Sequence, residues 1–483
     1  MTGTVDLRPL VPAIIVAFTS LVVLLAQAFA GKGRRPPSAA LSLMGLGGAL
    51  AAVWILATGP GRGAVLAEAV TADGFSLYFQ ALLLGVAMVT VLLSPSYLRA
   101  HGLDRGEYYA LLLMSVVGML GLVSSLELVS LFVALEIMSV ALYAMAGLDR
   151  SRMESQEAAL KYFVTGAFSS AFFLYGIALL YGVSGSTSLA RVELAMGSLT
   201  SETAGLAVLG AGMLLVGFGF KVASVPFHMW APDVYEGAPT TVTALMSAGV
   251  KAAAFGALLR VFGSALPDLA GDWKPLVAAL AAVSMVGGNL GALAQGNLKR
   301  MLAYSSIAHA GYVLVALVAA PRLAGEAVLF YLVAYGAVNL GAFGTIAALS
   351  RDGREPLSLN DVAGLAERRP ALAAALTVFL VSLTGIPITA GFVGKFYLFN
   401  AAVSSGWVWL ALVGVVMSVV SAYYYLRVVV AMYMRDPVGE DTWAPVSLAS
   451  RLALGISVAL TLFLGIYPAP LLDLARAAAR SLL

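Results

Sequence analysis

The chain has 483 residues, of which 61% are hydrophobic and only 11% charged, and its formal net charge is +3. Soluble domains carry about 25% charged residues, so a cytosolic enzyme, a secreted domain and a nucleic-acid binder with a basic arm are excluded. A mean hydropathy of +0.94 indicates a polytopic membrane protein. Cysteine is absent, which excludes disulfides, iron–sulfur clusters and thiolate metal sites. Three histidines (His101, His228 and His309) are too few for a bis-histidine haem array.

A membrane-crossing helix needs about 20 mostly apolar residues. Windows of that kind recur at 10–30, 39–58, 75–98, 107–126, 127–147, 157–182, 204–231, 237–262, 275–295, 300–320, 325–350, 371–403, 405–434 and 450–471, which predicts about fourteen helices. In the first window the cluster Lys32, Arg34 and Arg35 follows the apolar run, the reverse of a signal peptide, so a retained helix is expected. Windows 204–231 and 371–403 are long and interrupted by Gly and Pro, so neither is expected to be a single straight rod.

Lys and Arg concentrate on the cytoplasmic side of membrane proteins. Segments after odd-numbered windows hold Lys32, Arg34, Arg35, Arg99, Arg105, Arg150, Arg152, Lys299, Arg300, Arg351, Arg354, Arg368, Arg369, Arg435 and Arg451. The opposite side holds Arg8, Arg62, Arg191, Arg260, Lys274, Arg322, Arg476 and Arg480. This asymmetry places both termini outside. No loop is long enough to fold alone; the longest, near 351–370, spans some twenty residues.

Few charges remain inside the spans, where each costs about 2.5–3.5 kcal/mol on insertion scales and therefore faces protein or a water-filled path. In chain order, Glu136 comes first, with Ser139 and Tyr143 on its helix face. Lys161 follows Glu157 by four residues, which a surface i,i+4 pair explains as well as a functional role does. Lys221 lies in GFGFKVASVPFHMW, five residues before Pro226, which kinks or breaks a helix. Lys251 sits among small residues that let helices approach. Lys395 follows Gly385, Pro387, Gly391 and Gly394. His228 and His309, near span ends, read either as hydrogen-bonded interior residues or as proton carriers.

The two interrupted windows, each with a lysine, are five windows apart. Matching interrupted spans in two halves point to transporter repeats, and an odd helix number per repeat makes them inverted. The fold class is thus an all-α polytopic membrane protein with two inverted five-helix repeats, windows four to eight (105–265) and nine to thirteen (270–435). An N-terminal three-helix segment (1–98) precedes them and a C-terminal helix (445–483) follows.

The block PFHMWAPDVYEGAPTTVTALMSAGVKAAAFGALLR, preceded by FGFKVASV, resembles the antiporter-like proton-translocating membrane subunits of bacterial NADH:quinone oxidoreductase, respiratory complex I. The stretches EAALKYFVTGAFSSAFFLYG and GNLKRMLAYSSIAHAGY are similar to the N-type among them. The long lateral helix of the L-type is not expected here. The resemblance implies proton transfer through Glu136, Lys221, Lys251 and Lys395, with Lys161 added in the N-type and His228, Lys299, Tyr304 and His309 as connecting steps. It also implies M-, K- and J-type neighbour subunits and a bacterial inner membrane. This chain would hold no cofactor; NADH, FMN, iron–sulfur clusters and quinone would belong to partner subunits.

Burial disfavours the ammonium form of a lysine and a nearby carboxylate favours it. Motion of Glu136 toward or away from Lys221 would then hold or release a proton. A subunit of a multi-subunit sodium/proton antiporter is the second reading, and a membrane scaffold with inert buried charges is the third.

Overall fold

The computed structural model describes residues 6–30, 36–59, 61–63, 65–66, 68–350, 353–438 and 445–482. Lys32, Arg34, Arg35 and Arg351, counted above for orientation, lie outside them. The apolar windows become helices α1 (Val11–Phe29), α2 (Ser38–Thr58), α3 (Gly74–Ala100), α4 (Gly106–Ser124), α5 (Leu128–Ala146) and α6 (Met153–Ser184). Between α2 and α3 lies a small antiparallel hairpin, β1 (Val65–Leu66) and β2 (Val70–Thr71). A short helix α7 (Leu189–Met196) precedes α8 (Ser201–Val222).

After α8 come α9 (Ala231–Gly237) and a rod over Thr240–Ala265. That rod contains α10 (Thr240–Leu245), a π-helical turn at Met246–Val250, α11 (Lys251–Arg260) and a second π turn at Val261–Ala265. The second half comprises α12 (Ala270–Leu293), α13 (Leu298–Leu317), α14 (Pro321–Leu349), the single turn α15 (Leu365–Arg368), α16 (Pro370–Thr384), α17 (Ala390–Ser404) and α18 (Val408–Met434). Helices α19 (Leu448–Ile466) and α20 (Ala469–Ala479) follow.

Among the described residues twelve helices are long and apolar enough to cross a membrane. The α13 segment, with Lys299, Arg300 and His309, is not one of them, nor is the 371–403 window, which forms two short helices. The window at 204–231 is also shorter than the sequence suggests. α8 stops because Ala223 adopts the left-handed conformation, φ 57°, and its N–H turns back to Gly219 and Phe220. The break therefore falls three residues before Pro226 and one turn or less after Lys221. In the second half α16 ends at Gly385, φ 90°, a value at which only glycine avoids strain. Lys395 lies beyond this break, in the second turn of α17. One lysine precedes its interruption and the other follows it.

In lipid there is little hydrophobic drive between helices, so close packing at small residues decides which helices pair. The two halves use the same device. A Cβ at Gly118 of α4 would meet Met138 N of α5 at 2.3 Å, and one at Gly288 of α12 would meet Ala308 N of α13 at 2.4 Å. The Thr240–Ala265 rod and α14 form the centre of the bundle, with nearly all of their apolar stretches buried. Exposed Phe18, Trp54, Phe168 and Val419 face outward from peripheral helices, as expected of a lipid-facing belt.

Two charges assigned above to loops are interior. Arg260 is 3% exposed and its guanidinium forms a two-pronged pair with Asp73 at 2.8 and 3.0 Å, while Asp73 also caps α3 through Ser76 N. Lys299 is fully buried. Both are paired with carboxylates, which is what makes a buried charge tolerable.

Candidate functional site

Lys221 sits in the last turn of α8, at the negative end of the helix dipole, and is 2% exposed. Its Nζ donates to Ser139 Oγ at 2.7 Å. The rings of Phe220, Tyr143 and Tyr162 surround the ammonium at 5.4, 5.6 and 5.9 Å, a cation–π cage. Glu136 lies one helical turn before Ser139 and accepts from Ser170 Oγ of α6 at 2.5 Å. The two expected partners thus lie on one stretch of α5, Lys221 bonded to Ser139 and Glu136 one turn away bonded to Ser170, with no ion pair between them.

Lys251 begins α11 directly after the π turn, a helix distortion often found at functional sites. Its Nζ donates to the carbonyl of Ser306 on α13, and Ser306 Oγ accepts from Tyr335 of α14 at 2.9 Å. Three residues on from Ser306, His309 hydrogen-bonds Tyr331 through Nδ1 and reaches Tyr425 Oη at 3.3 Å through Nε2. Tyr425 shares a hydrogen bond with Ser305.

His309 then meets Tyr312 edge to face, with ring centroids 5.3 Å apart. Tyr312 lies under Lys395, whose Nζ is 4.6 Å from the ring centre. That Nζ donates to the carbonyls of Leu383 and Thr384 at 2.9 and 3.0 Å and to Ser418 Oγ at 3.1 Å. The lysine therefore caps the C-terminus of α16, whose last carbonyls the break leaves without helical donors. In both halves an ammonium stands at the C-terminal end of an interrupted helix.

From Lys251 to Lys395 the contacts run on without a gap, by hydrogen bonds as far as Tyr335 and by ring and cation–π contacts through His309 and Tyr312. Between Lys221 and Lys251 the interval is aromatic: Tyr162 stacks on Trp230 at 4.5 Å, and Trp230 meets Tyr235 at 6.1 Å. Tyr162 Oη and Ser169 Oγ, on the helix that carries Ser170, are buried without a hydrogen-bond partner.

Four expected residues take other places. Lys161 is 43% exposed and bridges Glu157 and Asp233, each at 2.6 Å, so it joins a surface network instead of the buried chain. Arg300 extends that network to Asp233 at 2.6 Å and Glu236 at 2.9 Å, tying α13 to α9. Burial alone would raise the Asp233 carboxyl, but bonds from Lys161 and Arg300 hold it below its ordinary value. His228 is half-buried in the turn between α8 and α9 and bonds to neither Lys221 nor Lys251. The Tyr304 ring packs beside Gly291 of α12, away from the His309 cluster. Lys299 donates to Ala238 O at 2.8 Å and Glu355 at 3.0 Å; Glu355 also accepts from Tyr97 at 2.6 Å and from Thr240.

Sequence reasoning placed Ser139 and Tyr143 beside Glu136 but missed Glu355, Ser170 and the tyrosines at 312, 331, 335 and 425. A signal for some existed: Tyr331 and Tyr335 repeat at i,i+4 within an otherwise apolar helix, and Tyr312 stands at i+3 from His309.

Residues 125–421 match the family described as "NADH:quinone oxidoreductase/Mrp antiporter, TM". The chain is 43% identical over 479 residues to NADH-quinone oxidoreductase subunit N of Trichlorobacter lovleyi, covering 99% of this chain and 98% of that protein. A chain in the structure of respiratory complex I from Thermus thermophilus with bound aureothin is 39% identical, with a TM-score of 0.82 and coverage of 96% and 99%. A chain of the Mrp complex from Dietzia sp. DQ12-45-1b superposes with a TM-score of 0.86 over 100% and 98% of the two chains at 22% identity, which shows the shared fold alone. Near-complete coverage by relatives at this identity means that the chain belongs to the family of NADH-quinone oxidoreductase subunit N.

Proposed function

We propose that this chain is the N-type membrane subunit of a bacterial NADH:quinone oxidoreductase and carries protons through Glu136, Lys221, Lys251, His309 and Lys395. The observation that carries this reading is the line of buried contacts from Lys251 to Lys395, made by hydrogen bonds through Ser306 to Tyr335 and by ring and cation–π contacts from Tyr335 through His309 and Tyr312 to Lys395. Proton transfer needs donors and acceptors about 2.6–3.2 Å apart, or one water between them; hydrogen bonds join Lys251 to Ser306 and Ser306 to Tyr335, and the steps through the His309 and Tyr312 rings need a bridging water. The open valences of Tyr162, beside Lys221, and of Ser169, next to Ser170 on α6, support water as the carrier where direct bonds are lacking.

A proton moved against 100 mV costs about 2.3 kcal/mol, and one unit of pKa is about 1.36 kcal/mol. A swing of a few units in how tightly each lysine holds its proton therefore suffices. Glu136 supplies one such swing: its carboxylate can move between Ser170 and the Ser139-bound ammonium. The energy comes from redox chemistry in partner subunits of M-, K- and J-type and beyond. With no cysteine and three histidines, this chain lacks the ligand sets of an iron–sulfur cluster or a bis-histidine haem.

The same proposal takes α13 and the α16–α17 pair as crossings, giving about fourteen, in two inverted halves of five (105–265 and 270–435), with both termini on the outer side of the inner membrane. Lys299 with Glu355, and Lys161 with Asp233 and Arg300, then stand at the cytoplasmic end as proton-uptake and anchoring groups, with His228 and Tyr304 flanking them.

The test is the assembled complex in proteoliposomes carrying Lys251→Ala. Proton translocation and coupled quinone reduction should fall several-fold with the complex still assembled. Undiminished proton flux would reject the path. Co-purification with a cation antiporter instead of a quinone-reducing complex would favour the antiporter reading.

A further inference from the structure

From Val277 to Leu293 helix α12 carries two polar side chains, Ser284 and Asn289, both fully buried. Ser284 accepts from the backbone N–H of Val225, in the turn after α8, at 2.8 Å. Asn289 turns to the neighbourhood of His309. Its Nδ2 donates to the Met285 carbonyl at 2.7 Å, one turn back on its own helix, and to Tyr312 Oη of α13 at 3.2 Å. A carbonyl only accepts, so the Met285 bond fixes which end of the amide is the nitrogen. The other end, Oδ1, accepts from Tyr424 Oη of α18 at 3.0 Å. Both N–H groups and the oxygen are thereby used, which lets an amide stand in an apolar core. Both tyrosines that it holds lead to His309. Tyr312 meets the imidazole edge to face at 5.3 Å, and its ring centre lies 4.6 Å from Lys395 Nζ. Tyr424 packs against Tyr425 at 4.4 Å between ring centres, and Tyr425 Oη lies 3.3 Å from His309 Nε2.

We infer that Asn289 is a positioning residue for proton passage between His309 and Lys395, an inference that rests on the proton path proposed above. One amide on α12 sets the tilt of the Tyr312 ring, which stands between the imidazole and the ammonium. Because Tyr312 Oη accepts from Asn289, the hydroxyl keeps its own proton as a donor. Without the amide the ring is free to turn, and the space for a water bridging His309 and Lys395 changes with it. Tyr424 loses its acceptor at the same time, and Tyr425 its fixed neighbour. Hydrogen-bonded side chains also hold membrane helices together. That role would show in the amount of assembled complex, whereas positioning shows in the number of protons moved per quinone.

The experiment compares Asn289→Leu with Asn289→Asp in the assembled complex in proteoliposomes, reading protons translocated per quinone reduced at matched abundance. Leucine keeps the branching of the side chain and loses every hydrogen bond. A protonated aspartic acid, the form that burial favours, can still donate to Tyr312 and accept from Tyr424. The ratio should fall several-fold in Asn289→Leu and be largely restored in Asn289→Asp, with the KM for quinone unmoved in both. An undiminished ratio in Asn289→Leu would overturn the inference. So would equal losses in the two variants, or a loss of abundance with no change of ratio, the mark of a purely structural amide. Where Asn289→Leu does not assemble, Tyr312→Phe decides. It keeps the ring and removes the hydroxyl that Asn289 holds, so a several-fold fall is expected and an undiminished ratio overturns the inference. Lys251→Ala, measured in parallel, separates the two levels. Normal pumping in that variant removes the path and this inference together, whereas loss there beside an undiminished Asn289→Leu overturns the inference alone.

Discussion

At the scale of single residues, Glu355 has the most consequential placement. It comes from the loop after α14, is 2% exposed on its side chain, and accepts from Tyr97 of α3, Thr240 of α10 and Lys299 of α13. Burial alone would raise this carboxyl. The Lys299 ammonium and the hydroxyl donors overrule that and hold it at about 2, against an ordinary 4.5. The folded state therefore binds the Glu355 proton less readily than the unfolded state. The stability it contributes is fully present above about pH 4.5 and is lost as pH falls toward 2. Glu355→Gln should flatten the acid limb of the thermal-stability profile of the purified complex between these values, and an unchanged profile would contradict the pairing. Glu355→Ala leaves Lys299 buried and unpaired, an expected loss of about 3–5 kcal/mol. Lys299→Met/Glu355→Leu should recover most of that loss, as read by the amount of intact complex on native gels.

The charges were legible in the sequence where they interrupted an apolar run, as with Glu136, Lys221, Lys251 and Lys395. They were misread where they bordered one. Lys299 and Arg260 flank span ends, and one-dimensional hydropathy treats any charge there as solvated. Only tertiary contact with Glu355 and Asp73 draws them inside. Ser139 and Tyr143 were readable from their spacing to Glu136, but Ser170 and the tyrosines around His309 were hidden for another reason: a hydroxyl in an apolar helix is unremarkable until the facing helix is known.

At the scale of elements, the interrupted helices were readable from glycine and proline, but the location of each break was not. Pro226 marks the neighbourhood, while the turn itself is made at Ala223, whose left-handed backbone no sequence preference announces. The paired helices depend on close contact at Gly118 and Gly288. Gly118→Val or Gly288→Val drives a side chain into the facing backbone, and overpacking of this kind costs about 1–3 kcal/mol. Each should lower the melting temperature and the membrane abundance of the subunit. Gly212→Ala in α8, where a Cβ would meet nothing within 4 Å, should leave both unchanged or raise them. Equal losses at all three positions would show that the α4–α5 and α12–α13 contacts are not what the glycines serve.

At the scale of the whole molecule, orientation and path meet. With Lys299 and Arg260 withdrawn from the count, the remaining loop charges still favour the odd-window side, so a reporter fused after the last residue should be active in the outer compartment. Activity in the cytoplasm would mean an odd number of crossings or the opposite orientation of the bundle. The central claim is that lysines at two helix breaks and one π turn pass protons along the core. Lys221→Arg tests it most directly. Arginine keeps the charge, the cation–π cage and a donor for Ser139, but it stays protonated and cannot hand the proton on. Proton translocation per quinone reduced, measured in proteoliposomes with complex abundance matched, should fall steeply in this variant. Undiminished translocation would contradict the account, because it would show that release of a proton from this side chain is not required.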